Sequence, residues 1–178
     1  DASRPVLTLG EALDAFTHPP LDRIEIDCDL KLVGREEELV AALRERGLVE
    51  RAMVSTMYTE SLAAIRAIEP ALRLGWTYPL VTRPWDRSRA ARPAVITAIA
   101  LMRARFPALA RRRAPEIGAA AIWVYHQLAS RRLVEVTRGL GIEVICWTVD
   151  DPARVATLRR MGVDGICSND PRLLQAPD

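Results

Sequence analysis

Apolar positions in this chain switch repeatedly between two periods. Over Arg23-Ile24-Glu25-Ile26-Asp27-Cys28 they alternate, which places Ile24 and Ile26 on one face of a strand and Glu25 and Asp27 on the other. Further strand-length runs rich in β-branched residues occupy Ala52–Met57, Leu72–Tyr78, Ala120–Tyr125, Gly141–Asp150 and Gly162–Pro171. Between them the apolar residues fall at helical spacing. Thr8-Leu9-Gly10-Glu11 has the form of a capping box ahead of Ala12, Leu13 and Phe16. Leu39, Val40 and Leu43 form a stripe closed by Gly47, and Thr59 is expected to cap a helix bearing Leu62, Ile65 and Ile68. Pro93–Phe106 carries Val95, Ile96, Ile99, Leu101 and Met102 behind a first-turn proline. Ser130 precedes Leu133, Val134 and Val136, and Pro152–Met161 carries Val155, Leu158 and Met161.

Strands that alternate with helices predict an α/β fold with a parallel sheet, either open and doubly wound or closed as an eight-stranded barrel. Six strands leave both open. No strand is followed by a glycine-rich phosphate loop, which counts against the nucleotide-binding open sheets. One connection, residues 79–118, is an arginine-rich insertion longer than a single crossover needs.

Composition narrows the picture in three ways. With 178 residues, 49% of them hydrophobic, the chain can build one substantial core, so a single domain is expected. The formal charge of +2 argues against a nucleic-acid surface, because arginines are nearly balanced by carboxylates and Lys31 is the lone lysine. Cys28, Cys146 and Cys167 have neither the number of a disulfide framework nor the spacing of a zinc site, so they read as buried free thiols. No apolar run reaches the roughly 20 residues that cross a bilayer. The chain begins at Asp1 without an initiator Met or a signal-like segment, and is read as processed or incomplete.

Four ordered segments carry a resemblance. Val144-Ile145-Cys146-Trp147-Thr148-Val149-Asp150 is similar to the V-x-x-W-T-V-N strand of the glycerophosphodiester phosphodiesterase family, and Gly162-Val163-Asp164-Gly165-Ile166 with Ser168-Asn169-Asp170-Pro171 to its G-V-D-G-I-I-T-D-x-P ending. Val6 to Leu13 resembles its I-P-T-L-E-E-V-L helix entry, and Arg23 to Asp27 its L-N-I-E-I-K strand; Ser55 falls where the family often writes Ser-Phe. The resemblance implies a (β/α)8 TIM-type barrel represented by six of its eight units, strands three to eight. It also implies metal-dependent hydrolysis of glycerophosphodiesters to sn-glycerol 3-phosphate and an alcohol. A divalent cation, Mg²⁺ or Ca²⁺, would stabilise the charge that grows on the phosphate oxygens, while two histidines shuttle protons. The family's His-Arg-Gly segment, its Glu-x-Asp pair and its second histidine lie upstream of the helix entry, so no catalytic histidine is expected in this chain.

By the same resemblance Glu25 is the metal ligand and Trp147 a wall for the glycerol moiety. Asp27 stands where the family has a phosphate-contacting lysine, a departure that Lys31 could offset, although an ordinary surface lysine accounts for it better. His126 ends a strand at the catalytic face and is assigned with Asp27 to substrate binding, although it matches no family motif, and His18 reads as exposed. Arg83, Arg87, Arg89 and Arg92, with Trp85 among them, are candidates for a basic lid over an anionic substrate, and Arg83 is assigned to substrate. Asn169 and Asp170 end the last strand, and Asp164 reads as structural. The alternative is a non-catalytic, barrel-derived binding module. The expected partner is a small-molecule diester, with a second copy or an N-terminal segment completing the barrel.

Overall fold

The structure, a computed structural model, describes residues 6–80 and 92–175. Contacts divide the chain into two units, Asp1–Leu74 and Gly75–Asp178. Both are built from parallel strands alternating with helices, the α/β class expected.

In the first unit α1 (Leu9–Ala15) opens with a full capping box: the Glu11 backbone N–H donates to Thr8 Oγ1 at 3.3 Å and the Thr8 N–H to Glu11 Oε2 at 2.8 Å. The strand β1 (Ile26–Asp29) runs parallel to β2 (Ala52–Thr56), in register from Ile26 opposite Ala52 to Asp29 opposite Ser55. The helices α2 (Glu36–Glu45) and α3 (Thr59–Ile68) bury Leu39, Val40 and Leu43 and Leu62 and Ile65 respectively, together with Val54 of β2. Ser61 pins the two helices by donating to Glu36 Oε1 at 2.5 Å, and that bond holds the Glu36 carboxyl below its ordinary value.

Two expectations shift here. Tyr58 rather than Thr59 takes the N-cap of α3, because Thr56 Oγ1 already accepts from the Tyr58 N–H at 3.2 Å and closes the turn one residue earlier. More consequentially, β1 starts at Ile26 and not at Arg23. The Ile24 N–H turns back to the Leu21 carbonyl at 3.2 Å and Ile24 is 47% exposed, so the ladder cannot begin until the chain leaves that turn.

The second unit holds the rest of β3 (Arg73–Tyr78), then α4 (Arg92–Ile117), β4 (Ala121–Tyr125), α5 (Arg131–Arg138), β5 (Glu143–Trp147), α6 (Pro152–Met161) and β6 (Gly165–Ile166). Consecutive strands pair in parallel: Gly75 faces Ala121, Ala121 faces Glu143, and Ile145 faces Gly165. Ile122, Val124, Val144 and Cys146 are fully buried, while Trp123, Tyr125, Ile145 and Trp147 are half-buried, so each strand shows one face to the helices and one to a more open side. Leu133 of α5 and Leu158 of α6 are fully buried as well. The Gly-Val-Asp-Gly segment is structural, as expected. Gly162 ends α6 at a left-handed φ of 82°, Asp164 Oδ2 accepts the Val144 N–H at 2.8 Å, and a Cβ on Gly165 would meet Ile145 at 3.1 Å.

The 79–118 connection is mostly helix. The expected helix, Pro93–Phe106, continues through Pro107 and Pro115 to Ile117. Pro inside a helix removes a backbone bond, but Phe106, Ala110 and Ala114 repeat every four residues and are buried, and Phe106 stacks on Tyr78 with ring centroids 4.1 Å apart. Packing outweighs the break. By length and composition the Pro93–Ile117 stretch could also cross a membrane, contrary to the expectation that no run could. Arg111-Arg112-Arg113 and the buried Phe106 side argue against that use, since charges inside a bilayer are costly.

Phe106→Ala is expected to cost about 3–5 kcal/mol in denaturant unfolding, whereas Ile96→Ser, on the exposed part of the same helix, is expected to stay within roughly 0.5 kcal/mol. Equal losses would show that α4 is packed along its whole length.

Candidate functional site

Ligands of parallel α/β sheets bind beyond the carboxyl ends of the strands. In the first unit the end of β1 presents Asp27 and Asp29, two residues apart and so on one face, with Lys31 just after. They border a cleft of about 510 Å³ whose walls include Leu9, Leu13, Phe16 and Leu39. Ser55 of β2 donates to Asp27 Oδ2 at 2.8 Å. Asp27 still meets solvent on one side, but the protein around it displaces enough water to push its carboxyl up to about 6. The Ser55 bond opposes that rise, Asp29 adds to it and Lys31 lowers it. Lys31 pairs with Asp29 at 2.5 Å, both side chains being substantially exposed, so it is committed to a surface ion pair.

Glu25 is placed differently from the expectation. It precedes the ladder, its side chain is 77% exposed, and it receives a bond from Arg73 Nη1 at 3.2 Å. The physical reason is the late start of β1, which leaves Glu25 at the amino end of the strand and puts Asp27, further along the same face, beside Ser55. A hard divalent cation takes oxygen donors. Asp27 fits one such donor, since a bound cation would relieve the cost of its desolvated charge. Among the described residues there is no group of three His, Cys, Asp or Glu side chains placed to close a site around an ion.

In the second unit Tyr125 and Trp147 face each other across the β4–β5 ladder, with ring centroids 5.7 Å apart. Trp147 is half-buried, yet its Nε1 is buried without a hydrogen-bond partner. An orphaned donor of this kind costs about 1–3 kcal/mol.

His126 follows Tyr125, so the alternation turns it away from Trp147. It borders a separate cavity of about 810 Å³ formed with α4 and the starts of α5 and α6. Its Nδ1 accepts from Arg154 Nε at 3.3 Å, which leaves the ring proton of the neutral form on Nε2. Burial first, and Arg154 second, hold its pKa below the ordinary value. His18 is exposed beside Thr17, as expected. Arg83, Arg87 and Arg89, with Trp85, lie outside the described residues.

The loops after β5 and β6 are tied by a network that the sequence did not announce. Asp150 Oδ1 accepts from Ser168 Oγ at 2.9 Å and from the Asn169 N–H at 2.8 Å, and its Oδ2 from Asn169 Nδ2 at 2.8 Å. These bonds hold the Asp150 carboxyl below its ordinary value. Asp170 caps the turn at Pro171–Leu174 and grips Arg172 with both oxygens, so Asn169 and Asp170 serve local structure. Cys28, Cys146 and Cys167 form no disulfide; Cys146 is buried and its thiol is pushed up to about 12, Cys28 is half-buried and raised to about 11, both by burial. Neither is poised as a nucleophile.

Comparison with known proteins now adds a frame. The model of the Glycerophosphoryl diester phosphodiesterase family matches residues 13–173. A glycerophosphodiester phosphodiesterase of Caldanaerobacter subterraneus is 26% identical over 156 residues, 86% of this chain and 54% of that protein. The solved glycerophosphodiester phosphodiesterase of Agrobacterium tumefaciens superposes with a TM-score of 0.65 at 19% identity, covering 94% of this chain and 60% of that one. A phosphodiesterase of Oleispira antarctica, solved with the product sn-glycerol-3-phosphate, gives a TM-score of 0.61 at 18% identity, covering 90% and 56%. The chain thus spans little more than half the length of each of these proteins.

Asp27 yields a pH test. Its folded value near 6 lies above its ordinary 3.8, so between those values the folded protein holds a proton that the unfolded chain has released. Stability at this position is then lost as pH rises through that window. Asp27→Asn is expected to raise Tm by roughly 2–5 °C at pH 7.5 and to leave it nearly unchanged at pH 4, read by circular dichroism. An equal loss at both values would show that the Ser55 bond, not desolvation, dominates.

Proposed function

Because this chain belongs to the glycerophosphoryl diester phosphodiesterase family, with a match that runs from residue 13 to 173, we propose that the whole protein hydrolyses glycerophosphodiesters to sn-glycerol 3-phosphate and an alcohol with the aid of a divalent cation. The observation that carries the reading within the chain is Asp27: a carboxyl held by Ser55, desolvated to about 6, at the mouth of a cleft by the strand that resembles the family's metal-binding one. The Oleispira antarctica enzyme, solved with sn-glycerol-3-phosphate, supports the product class.

In this reading a bound Mg²⁺ or Ca²⁺ supplies Lewis-acid stabilisation of the charge that develops on the phosphate oxygens. Asp27 contributes one oxygen donor. Its partial desolvation strengthens the interaction with a cation, and Ser55 orients the carboxylate so that only one oxygen is engaged by the protein. Trp147 and Tyr125, with ring centroids 5.7 Å apart, offer an aromatic wall to the glycerol moiety. Acid–base transfer is assigned to histidines of the whole protein outside this chain, since His18 and His126 stand in other surroundings. Glu25 is assigned a surface ion pair with Arg73 in place of the metal.

Release of sn-glycerol 3-phosphate from glycerophosphocholine by the whole protein, with Mg²⁺ or Ca²⁺ and after chelation, is the direct test. Hydrolysis is expected only with the cation. Asp27→Ala is expected to lower kcat at least about 100-fold, and Glu25→Gln to change it by no more than about twofold. The reverse ranking would return the metal to Glu25. Binding of glycerol 3-phosphate without any turnover would favour the non-catalytic module.

A further inference from the structure

The cavity beside His126 is on the other side of β4 and β5 from Trp147, and the proposed hydrolysis makes no use of it. Its lining has two characters. Ile99, Ala100, Ala104 and Pro107 of α4, with Val149, form an apolar wall. Arg103, Arg132 and Arg154 bring three guanidinium groups to the same space.

The charge there is only partly answered. Arg154 donates to His126 Nδ1 and to the His126 carbonyl, both uncharged acceptors. Burial lowers its pKa, the Cys146 sulfur opposes that, and neighbouring Arg103 lowers it further. Arg103 and Arg132 have no carboxylate partner among the described residues. The lining also carries two carboxylates, Asp150, which accepts from Ser168 and Asn169, and Asp151, the N-cap of α6, which accepts the Ala153 N–H at 3.1 Å, so the three guanidinium groups exceed the acids by one charge. His126 is neutral at pH 7 with its proton on Nε2, so it adds a donor without adding charge.

Three guanidinium groups that outnumber the two carboxylates around this open cavity are stabilised by an anion, and guanidinium groups match the oxygens of phosphate or carboxylate two at a time. The apolar wall asks for more than an inorganic ion, because ligand sites of this size combine apolar lining with a few convergent polar groups. We infer that this cavity is a second ligand site, distinct from the proposed hydrolytic one, which takes an amphiphilic anion: a phosphate or carboxylate head on Arg103, Arg132 and Arg154, and an alkyl tail along Ile99, Ala100, Ala104 and Pro107. The inference goes beyond the proposed hydrolysis and does not depend on it.

The test is calorimetric titration of the whole protein with n-octyl phosphate below its micellar range, beside inorganic phosphate and n-octanol. Octyl phosphate is expected to bind at least tenfold more tightly than either fragment. Arg103→Gln with Arg132→Gln is expected to weaken it tenfold or more, and Ala104→Trp to abolish it by filling the cavity. Arg111→Gln with Arg112→Gln removes the same charge away from the lining and is expected to leave binding unchanged, which separates a built site from general attraction. No binding, equal loss in both arginine pairs, or indifference to Ala104→Trp would each overturn the inference, whether or not the protein hydrolyses diesters.

Discussion

The period-two alternation of parallel strands decides which residues of this chain can meet. Along β4 and β5 the register sets Tyr125 opposite Trp147 and Val124 opposite Cys146. One set is half-buried and reaches a more open side, while the other disappears under the helices. A shift by one residue would exchange the two sets and expose four apolar side chains, so the register is held by the whole apolar content of the layer. Everything chemical in the second unit follows from that choice. Trp147 is left with an unanswered indole N–H on one side, and His126, a single residue beyond Tyr125, is delivered to an arginine-lined cavity on the other.

The same rule acts in the first unit through the point at which alternation starts. Glu25, Asp27 and Asp29 share a face by spacing, yet their environments differ. Glu25 meets solvent and Arg73, Asp29 meets Lys31, and Asp27, an exposed residue too, is held by Ser55 with its carboxyl raised by partial burial. Three carboxyls of one pattern thus have three fates, set by how far each lies along the ladder. Chemistry that requires a shifted carboxyl has one place to settle here.

Helix α4 shows how a local preference is overruled. Pro107 and Pro115 would each end a helix judged on propensity. The buried row Phe106, Ala110 and Ala114 carries it onward, with Phe106 flat against Tyr78. Of the continued part, Pro107 lines the cavity; Arg103 and Ala104 belong to the helix that the sequence already predicts.

Strand and helix identities, the parallel α/β class and the family were legible in the sequence, because each rests on local periodicity or on contiguous motifs such as Cys146-Trp147-Thr148 and Gly162-Val163-Asp164-Gly165. The capping box at Thr8 and the structural role of Asp164 were legible for the same reason: their partners lie within one turn or one strand. What only the tertiary structure decided were the long-range facts. The Leu21–Ile24 turn moved the start of β1, and with it the carboxyl that is desolvated, from Glu25 to Asp27. The Ser55–Asp27 bond spans two strands, the Asp150–Asn169 network joins two loops, and the cavity gathers α4, α5 and α6 around Arg154. Periodicity tells which face a side chain takes, whereas desolvation and charge depend on what the rest of the chain brings up against that face.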